Sequence, residues 1–308
     1  MTSNTLVRWA CVLVASLAAA LAGATSAVAV ESNTLRKIAA AGVISIGYRD
    51  GSVPFSYLDE RRHPVGYSID VCLHIVDAIK ARLRMPQLTV MYVPVSSATR
   101  IPLVVNGGVD IECGVTTNNI ERQKQVAFTT TTYIAASRLV SKRSQPVVTL
   151  NDLRGKSVVS TVGTTSIKYL PDLNSTRRLN VTILSAKDDA EAFRMVETDR
   201  ATAYAMDDVL LRSTVAAAQN PDDYVISDEA LSVEPYGMMI SKSDPEFKRI
   251  ADRAIVALFT SGGIRGIYRK WFESPIPPKG VNLRMPMHPS LARIIQHPTD
   301  SGDPAVYK

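Results

Sequence analysis

Apolar and polar positions alternate along the chain with two periods, and this alternation predicts helices and strands in turn. Residues 33–41 predict a short helix that begins at Ser32 or Asn33 and ends at Gly42, and residues 43–47 predict the strand after it. The same order then recurs, with helices starting near Ser68 and Ser97 and strands at residues 88–95 and 109–113. Strands that alternate with helices in this way indicate βαβ units and a largely parallel sheet.

A second series of elements begins after Ser141. Thr149 to Asp152 resembles a capping box, and a strand at residues 157–162 leads into a helix that starts at Thr164. Further strands and helices alternate at residues 181–185, 188–197, 201–205 and 207–217. Two such series in one chain predict two lobes of ordinary domain size.

Two hydrophobic, strand-like segments join these series, at residues 133–141 and 233–241. Because they lack the Gly and Ser of flexible linkers, we expect them to be paired hinge strands. The expected fold class is therefore α/β with two lobes. The boundaries we expect are a first segment of lobe 1 at residues 30–136, a hinge and lobe 2 at 137–236, and a second hinge, the return to lobe 1 and a C-terminal tail at 237–308.

The first 29 residues have the features of a signal peptide. Arg8 precedes an apolar run from Trp9 to Ala22, and the small residues Ala27-Val28-Ala29 follow as a cleavage site. The run is shorter than the ~20 apolar residues of a membrane-spanning helix. The sequence therefore predicts an exported protein that is cleaved near Ala29.

Charge, cysteine and histidine usage exclude several classes of protein. The formal net charge of +6 comes from Lys and Arg scattered along the chain, so we expect no nucleic acid partner. The four histidines lack metal-ligand spacing, and neither a metal nor a cofactor is expected. Cys11 lies in the signal peptide, whereas Cys72 and Cys113 lie in apolar stretches. We expect the latter two to be buried thiols, although an oxidising compartment would permit a disulfide.

Several stretches across the mature chain match the pattern of one family. They are Gly47-Tyr48-Arg49, Ser52-Val53-Pro54-Phe55-Ser56, Gly66-Tyr67-Ser68, Arg100-Ile101-Pro102-Leu103, Glu112-Cys113-Gly114, residues 116–125, Gly163-Thr164-Thr165-Ser166, Ser185-Ala186-Lys187-Asp188, Met206-Asp207-Asp208, Trp271-Phe272 and residues 275–279. With these stretches the chain resembles the polar amino acid-binding proteins of ABC importers, and most closely their glutamate/aspartate-binding members. The resemblance implies a two-lobed periplasmic binding protein fold whose ligand lies in the cleft between the lobes.

The resemblance also assigns the groups that hold the common part of an amino acid. Arg122 matches the arginine that binds the α-carboxylate, together with amides and a hydroxyl from Thr164 and Thr165. Asp207 matches the partner of the α-ammonium, and Thr117 offers a hydroxyl. These groups have the chemistry that a zwitterion requires.

A second group of positions would receive the ligand side chain. Arg49, Ser97 and Arg100 match the positions that hold a side-chain carboxylate. Asp189 replaces the histidine of the close relatives, and it would either repel an acidic ligand or be neutralised by an arginine. Val115 replaces a serine, so only its backbone carbonyl could contribute.

Formal charge permits an acidic ligand. The three candidate arginines, set against Asp189 and Asp207, leave a charge of +1, which balances anionic glutamate or aspartate. Glutamine, asparagine or a broader polar set remains an alternative, because Asp189 could accept a hydrogen bond from an amide.

The expected function is the extracytoplasmic substrate-binding component of an ABC amino acid importer in the periplasm. Its expected partners are a glutamate or aspartate ligand and an inner-membrane permease complex, and the protein is expected to be monomeric and not an enzyme. Two alternatives belong to other classes, a periplasmic cyclic dehydratase and a sensory amino acid-binding domain. The dehydratase would need a positioned general acid, and no glutamate is prominent among the matched positions.

Overall fold

The computed structural model describes residues 32–308. The predicted signal peptide, residues 1–29 with Cys11, lies outside the described residues. Within residues 32–308, no helix combines the length and the apolar character that crossing a membrane would require.

The first of the two large sheets belongs to lobe 1. Its five strands, given in their order across the sheet, are β5 (Thr89–Pro94), β1 (Val43–Tyr48), β6 (Ile111–Glu112), β14 (Met239–Ser241) and β7 (Val126–Phe128). β1 is parallel to β5 and β6, whereas β14 is antiparallel to β6 and β7. Because β14 is the last strand of the chain, the chain returns to lobe 1 after it has formed lobe 2. A small antiparallel sheet consists of β2 (Gly51–Ser52), β3 (Ser56–Leu58) and β4 (Pro64–Val65).

The second large sheet belongs to lobe 2. Its strands are β10 (Thr182–Ala186), β9 (Ser157–Thr161), β11 (Ala203–Asp207), β8 (Tyr133–Lys142), β12 (Tyr224–Ile226) and β13 (Ser232–Tyr236). β9 is parallel to β10 and β11, and β8 is antiparallel to β11, β12 and β13. The pairing of β8 with β13 aligns Tyr133 with Tyr236 and confirms the prediction of paired hinge strands.

Helices cover the faces of both sheets. In the described range they are α1 (Asn33–Ala41), α2 (Tyr67–Leu83), α3 (Arg100–Val105), α4 (Ile120–Gln123), α5 (Thr165–Arg177), α6 (Asp189–Glu197), α7 (Asp208–Ala217), α8 (Pro245–Thr260), α9 (Gly263–Phe272) and α10 (Pro289–Gln296). Three short 3-10 helices lie at Leu150–Leu153, Pro221–Asp223 and Pro304–Tyr307.

Some helix starts agree with the sequence prediction, and two do not. Ser32 caps α1 by accepting a hydrogen bond from the Leu35 amide, as predicted. Ser68 instead lies inside α2 and donates to the Gly114 carbonyl at 2.7 Å. Ser97 precedes α3 by three residues, and the N-cap position belongs to Thr99. Ser68 thus has a tertiary partner, and Ser97 belongs to the segment before α3.

The expectation of two buried thiols was wrong, because Cys72 and Cys113 form a disulfide with a Cα–Cα distance of 6.2 Å. α2 places Cys72 against the end of β6, where Cys113 follows the strand. Burial in an apolar environment is common to free thiols and to bridged cysteines, so the sequence could not distinguish them. The bridge links α2 to the loop that leads to Gly114 and Val115.

Aromatic side chains anchor the hinge on lobe 1. Phe55 contacts Tyr133 and Tyr236 of the two hinge strands with ring centroids 4.8 and 5.4 Å apart, and Phe272 stacks on Tyr133 at 5.2 Å. Such pairs contribute about 0.5–1.5 kcal/mol beyond their buried area. The C-terminal tail also reaches this region, where the Tyr307 hydroxyl hydrogen-bonds the Thr131 hydroxyl at 2.8 Å. These contacts attach the lobe 1 ends of the two hinge strands to lobe 1.

Candidate ligand-binding site

One small cavity between the lobes is lined by nine of the ten predicted site residues. Lobe 1 contributes five of them and lobe 2 contributes four, namely Arg49, Ser97, Arg100, Val115 and Thr117, and Thr164, Thr165, Asp189 and Asp207. Met206 and Leu210 complete the lining. The tenth residue, Arg122, lies beside the cavity behind Thr117. Residues that are far apart along the chain thus converge on one point of the cleft.

Arg122 links the two lobes directly. It lies in α4, is 2 % exposed, and donates from Nη1 to the Thr117 carbonyl at 2.8 Å and from Nη2 to the Gly163 carbonyl of lobe 2 at 3.1 Å. Burial lowers the pKa of Arg122, and the carboxylates of Glu234 and Asp207 oppose that shift. Two backbone carbonyls therefore hold the guanidinium of Arg122 near the N-terminus of α5.

The start of α5 offers backbone amides to the cavity. Thr164 is the N-cap, and its hydroxyl accepts from the Ile167 amide and donates to the Thr161 carbonyl at 2.7 Å. The Thr165 hydroxyl donates to Glu234 at 2.8 Å. Both hydroxyl hydrogens are thus used within the protein, so the donors left for an anion at this end are first-turn amides. The hydroxyl donor expected from this pair is not free in this structure.

Asp207 presents one carboxylate oxygen to the cavity without a partner. It ends β11, and its Oδ2 accepts a short hydrogen bond from the Tyr236 hydroxyl, whereas Oδ1 is buried and has no hydrogen-bond partner among the described residues. Burial raises the pKa of Asp207 well above its usual range, and the nearby Glu234 carboxylate adds to that rise. Asp207 occupies the N-cap position of α7, but its side chain makes no capping hydrogen bond, and the Val209 amide donates to Asp208 at 2.8 Å. A ligand cation at Oδ1 would satisfy the unpaired oxygen.

Two arginines occupy the other end of the cavity. Arg49 and Arg100 are 6 % and 2 % exposed, and the Nε of each has no partner among the described residues. Arg100 donates from Nη1 to the Val115 carbonyl at 3.2 Å. Burial, with the charge of Arg122 nearby, lowers the pKa of Arg100 to about 9. These buried, incompletely satisfied donors favour an anionic partner.

Asp189 is held by hydroxyl groups of its own lobe. Its Oδ1 accepts from the Thr161 hydroxyl at 2.6 Å and from the Tyr204 hydroxyl at 3.1 Å. In the described part of the chain, no ion pair joins Asp189 to an arginine. Asp189 starts α6 on lobe 2 beside β9 and β11, so its hydrogen-bond partners here are hydroxyl groups of that lobe.

Three functional candidates were missed from the sequence: Glu112, Glu234 and Tyr236. Glu112 and Glu234 are both 0 % exposed, and Tyr236 bonds to Asp207. Each glutamate interrupts an apolar strand segment, and a fully buried acid is uncommon without a partner or a role. An acid within an apolar strand was therefore the sequence feature that could have indicated these two glutamates.

The lobes, the paired hinge strands and the enclosed polar cavity define a two-lobed binding protein. Residues 44–274 match the model of the bacterial extracellular solute-binding proteins, family 3. The chain belongs to this family, and the fold and resemblance predicted from the sequence are confirmed.

Individual relatives agree with this membership. The L-glutamate/L-aspartate-binding protein of Pseudomonas aeruginosa is 48% identical over 270 residues, which cover 87% of this chain and 89% of that protein. The glutamate/aspartate import solute-binding protein of Escherichia coli is 43% identical over 94% of this chain and 96% of its own length. A solved structure of an ancestral arginine-binding protein bound to glutamine has a TM-score of 0.68 and 26% identity, and the match covers 75% of this chain and 98% of that one. The closely similar curated relatives are solute-binding proteins, so the chain is a binding protein and not an enzyme.

Proposed function

We propose that the protein is the extracytoplasmic substrate-binding component of an ABC amino acid importer and that it binds glutamate or aspartate. The observation that carries the proposal is the cavity itself, which is lined by two buried arginines of lobe 1 and by Asp207 of lobe 2, one of whose oxygens has no partner among the described residues. This separation of charge complements an amino acid with an acidic side chain. The names of the relatives from Pseudomonas aeruginosa and Escherichia coli support the same ligand class.

Each end of the ligand has a proposed partner. Arg122 and the first-turn amides of α5 bind the α-carboxylate, and Asp207 with Thr117 binds the α-ammonium. Arg49, Ser97 and Arg100 bind the side-chain carboxylate. The Val115 carbonyl and Asp189 lie at the same end of the ligand. Charge-assisted hydrogen bonds of this type are about twice as strong as neutral ones.

Ligand capture proceeds by hinge closure in this proposal. In it, residues 30–136 are the first segment of lobe 1, residues 137–236 are the hinge and lobe 2, and residues 237–308 are the second hinge, the return to lobe 1 and the C-terminal tail. The division of the strands between two large sheets supports this arrangement. Because the ligand contacts groups on both lobes, it binds the closed form more tightly than the open form and shifts the population towards closure. The closed form is then the surface that a permease complex would recognise.

The location and the assembly state also belong to the proposal. The protein is released into the periplasm after cleavage near Ala29 and acts as a monomer. Mass spectrometry of the periplasmic fraction should find an N-terminus at Val30 or within a few residues of it. Recovery of intact Met1 in the membrane fraction would contradict release.

A second candidate is a binder of glutamine or asparagine, and Asp189 favours it. Asp189 lines the cavity and has no arginine ion pair among the described residues, so it could accept from a ligand amide.

Calorimetry of the mature protein with glutamate, aspartate, glutamine and asparagine tests both candidates. We expect glutamate or aspartate to bind most tightly, and Arg122→Ala should weaken every ligand by about 2–5 kcal/mol because a buried partner charge is left unpaired. Lys124→Ala is the matched control, since Lys124 is exposed and pairs only with exposed Glu121. Preference for an amide would support the second candidate. Absence of amino acid binding, or equal affinity in both variants, would contradict the site.

A further inference from the structure

Six buried ionisable groups lie in or near the cleft, and none of them forms an ion pair with another described residue. They are Arg49, Arg100, Arg122, Glu112, Asp207 and Glu234, each no more than 6 % exposed. In the described part of the chain, none of the six takes part in an ion pair within 4.0 Å. The other buried acids are explained locally, because Asp110 pairs with Lys37 and Asp244 caps α8. Of the three cleft acids, Glu234 accepts from two hydroxyl groups, those of Thr165 and Ser232, whereas Asp207 and Glu112 each have one hydroxyl partner.

Glu112 combines complete burial with a single side-chain partner. It ends β6 and is 0 % exposed, and among the described residues its carboxyl group has one hydrogen bond, between Oε2 and the Thr116 hydroxyl at 2.8 Å. Oε1 is buried without a partner among the described residues. It lies against Gly114, where an added Cβ would be 2.1 Å from Oε1. The glycine therefore leaves just enough room for the carboxyl group.

This environment is poorly suited to an ionised carboxylate. An ionised carboxylate has about four acceptor sites, and Glu112 has one hydroxyl to satisfy them. In a neutral acid, Oε2 still accepts from the Thr116 hydroxyl, and the unpaired Oε1 is a neutral group, whose burial costs much less than that of a charge.

The charged groups that act on Glu112 come from three neighbouring segments. Arg100 of α3, Arg49 after β1 and Arg122 of α4 favour the ionised form, and none forms an ion pair with Glu112. The residues that pair with it across the sheet, Gly47 of β1 and Met239 of β14, carry no titratable group. Burial raises the pKa of Glu112 despite the arginines.

We propose that Glu112 is a neutral carboxylic acid in the folded protein, which leaves the positive charge of Arg49 and Arg100 for an anionic ligand side chain. An ionised Glu112 would add a negative charge beside the three arginines, where Asp189, Asp207 and Glu234 also lie. A neutral Glu112 removes one negative charge from a site that receives an anion. Ionisation of Glu112 at alkaline pH therefore lowers the affinity for acidic amino acids, and this part of the inference rests on the proposed function.

Infrared spectroscopy tests the protonation state without any ligand. The carbonyl stretch of a protonated carboxylic acid should be present in the wild-type spectrum at about pH 7 and should lose intensity in Glu112→Gln. Glu121→Gln is the matched control, because Glu121 is an exposed acid that pairs with Lys124, and it should leave the band unchanged. Thr116→Val is a second variant that keeps the acid and removes its hydrogen-bond partner, so the band should shift in frequency and persist. A band that is the same in Glu112→Gln and in the wild type, or that is unmoved in Thr116→Val, would overturn the proposal.

Titration with glutamate tests the consequence for binding. The wild-type affinity should fall at alkaline pH, by up to about tenfold for each pH unit above the pKa of Glu112. Glu112→Gln should bind glutamate as tightly as the wild type at about pH 7 and should show a smaller decline, since the part that remains comes from Arg100, whose pKa is lowered to about 9. Superimposable pH profiles would contradict the coupling. Absence of glutamate binding in the wild type at every pH would contradict the proposed function alone, because the infrared band still decides the state of Glu112.

Discussion

Gly163 of lobe 2 lies close to the backbone of lobe 1. It precedes α5 with a φ of +81°, and a Cβ built there would lie 2.6 Å from the Ser97 carbonyl oxygen and 2.8 Å from the Ala98 amide nitrogen. Ordinary contacts of a Cβ begin near 3.4 Å. Gly163→Ala therefore requires the lobes to separate by about 0.8 Å at this contact, since backbone atoms on the other side cannot rotate away.

The expected loss follows from the hydrogen bond that crosses the same contact. Arg122 donates to the Gly163 carbonyl at 3.1 Å, and an added separation of about 0.8 Å takes this bond beyond hydrogen-bonding distance. A hydrogen bond to a charged group contributes about 1.5–3 kcal/mol, which corresponds to about a ten- to hundredfold increase in Kd. We expect that increase for every amino acid ligand, because the contact does not involve the ligand side chain.

Calorimetry with glutamate measures the loss, and Gly155→Ala is the matched control. Gly155 also has a positive φ, +70°, but an added Cβ would meet nothing within 4 Å. Both variants should lose stability by about 1–2 kcal/mol from the left-handed backbone, and only Gly163→Ala should lose affinity. Equal glutamate affinity in the two variants would refute the closure argument.

Three further predictions concern single groups of the described chain. Asp207→Asn should weaken all amino acid ligands in calorimetry by about 2–5 kcal/mol. The pKa of Asp207 is raised in the folded protein, which therefore retains a proton that the unfolded chain releases. The stability of the wild type should thus fall relative to that of Asp207→Asn as pH rises above about 4. A stability difference that is the same at every pH in urea unfolding would contradict this. Asp189→His should increase the preference for glutamate over glutamine. If the wild type prefers an amide and the variant prefers the acid, the assignment of an acidic ligand is wrong. The double change Cys72→Ser and Cys113→Ser opens a loop of 41 residues and should lower the free energy of unfolding by about 2–4 kcal/mol, whereas an unchanged urea midpoint would show that the bridge contributes little.

Much of the fold could be predicted from local sequence. The start of α1 at Ser32 and the capping box from Thr149 to Asp152 depend on hydrogen bonds within one turn, and the structure contains both. The hinge strands were recognisable because their segments are hydrophobic and lack the Gly and Ser of flexible linkers. The same local reasoning was wrong for Ser68 and Ser97, since a serine near a helix start can equally bond a distant carbonyl or line a cavity.

The candidate site divides in a similar way. The resemblance selected residues such as Arg100 and Asp207, and the structure gathers them around one cavity. It gave no role in the site to Glu112 or Glu234. In the sequence each is a single acid in an apolar strand, and only the fold brings the arginines near it. The partners of Asp189 were also missed, since Thr161 and Tyr204 lie on two different strands.

The sequence by itself determined the order of helices and strands, the two-lobed class and the residue types that a zwitterion needs, because these follow from periodicity, capping and a matching family pattern. Only the tertiary structure decided which groups are paired. The bond between Cys72 and Cys113, the hydroxyls around Asp189 and the isolation of Glu112 depend on distances between remote segments and on the removal of water from the cleft. Those quantities are properties of the assembled fold, and no window of the sequence contains them.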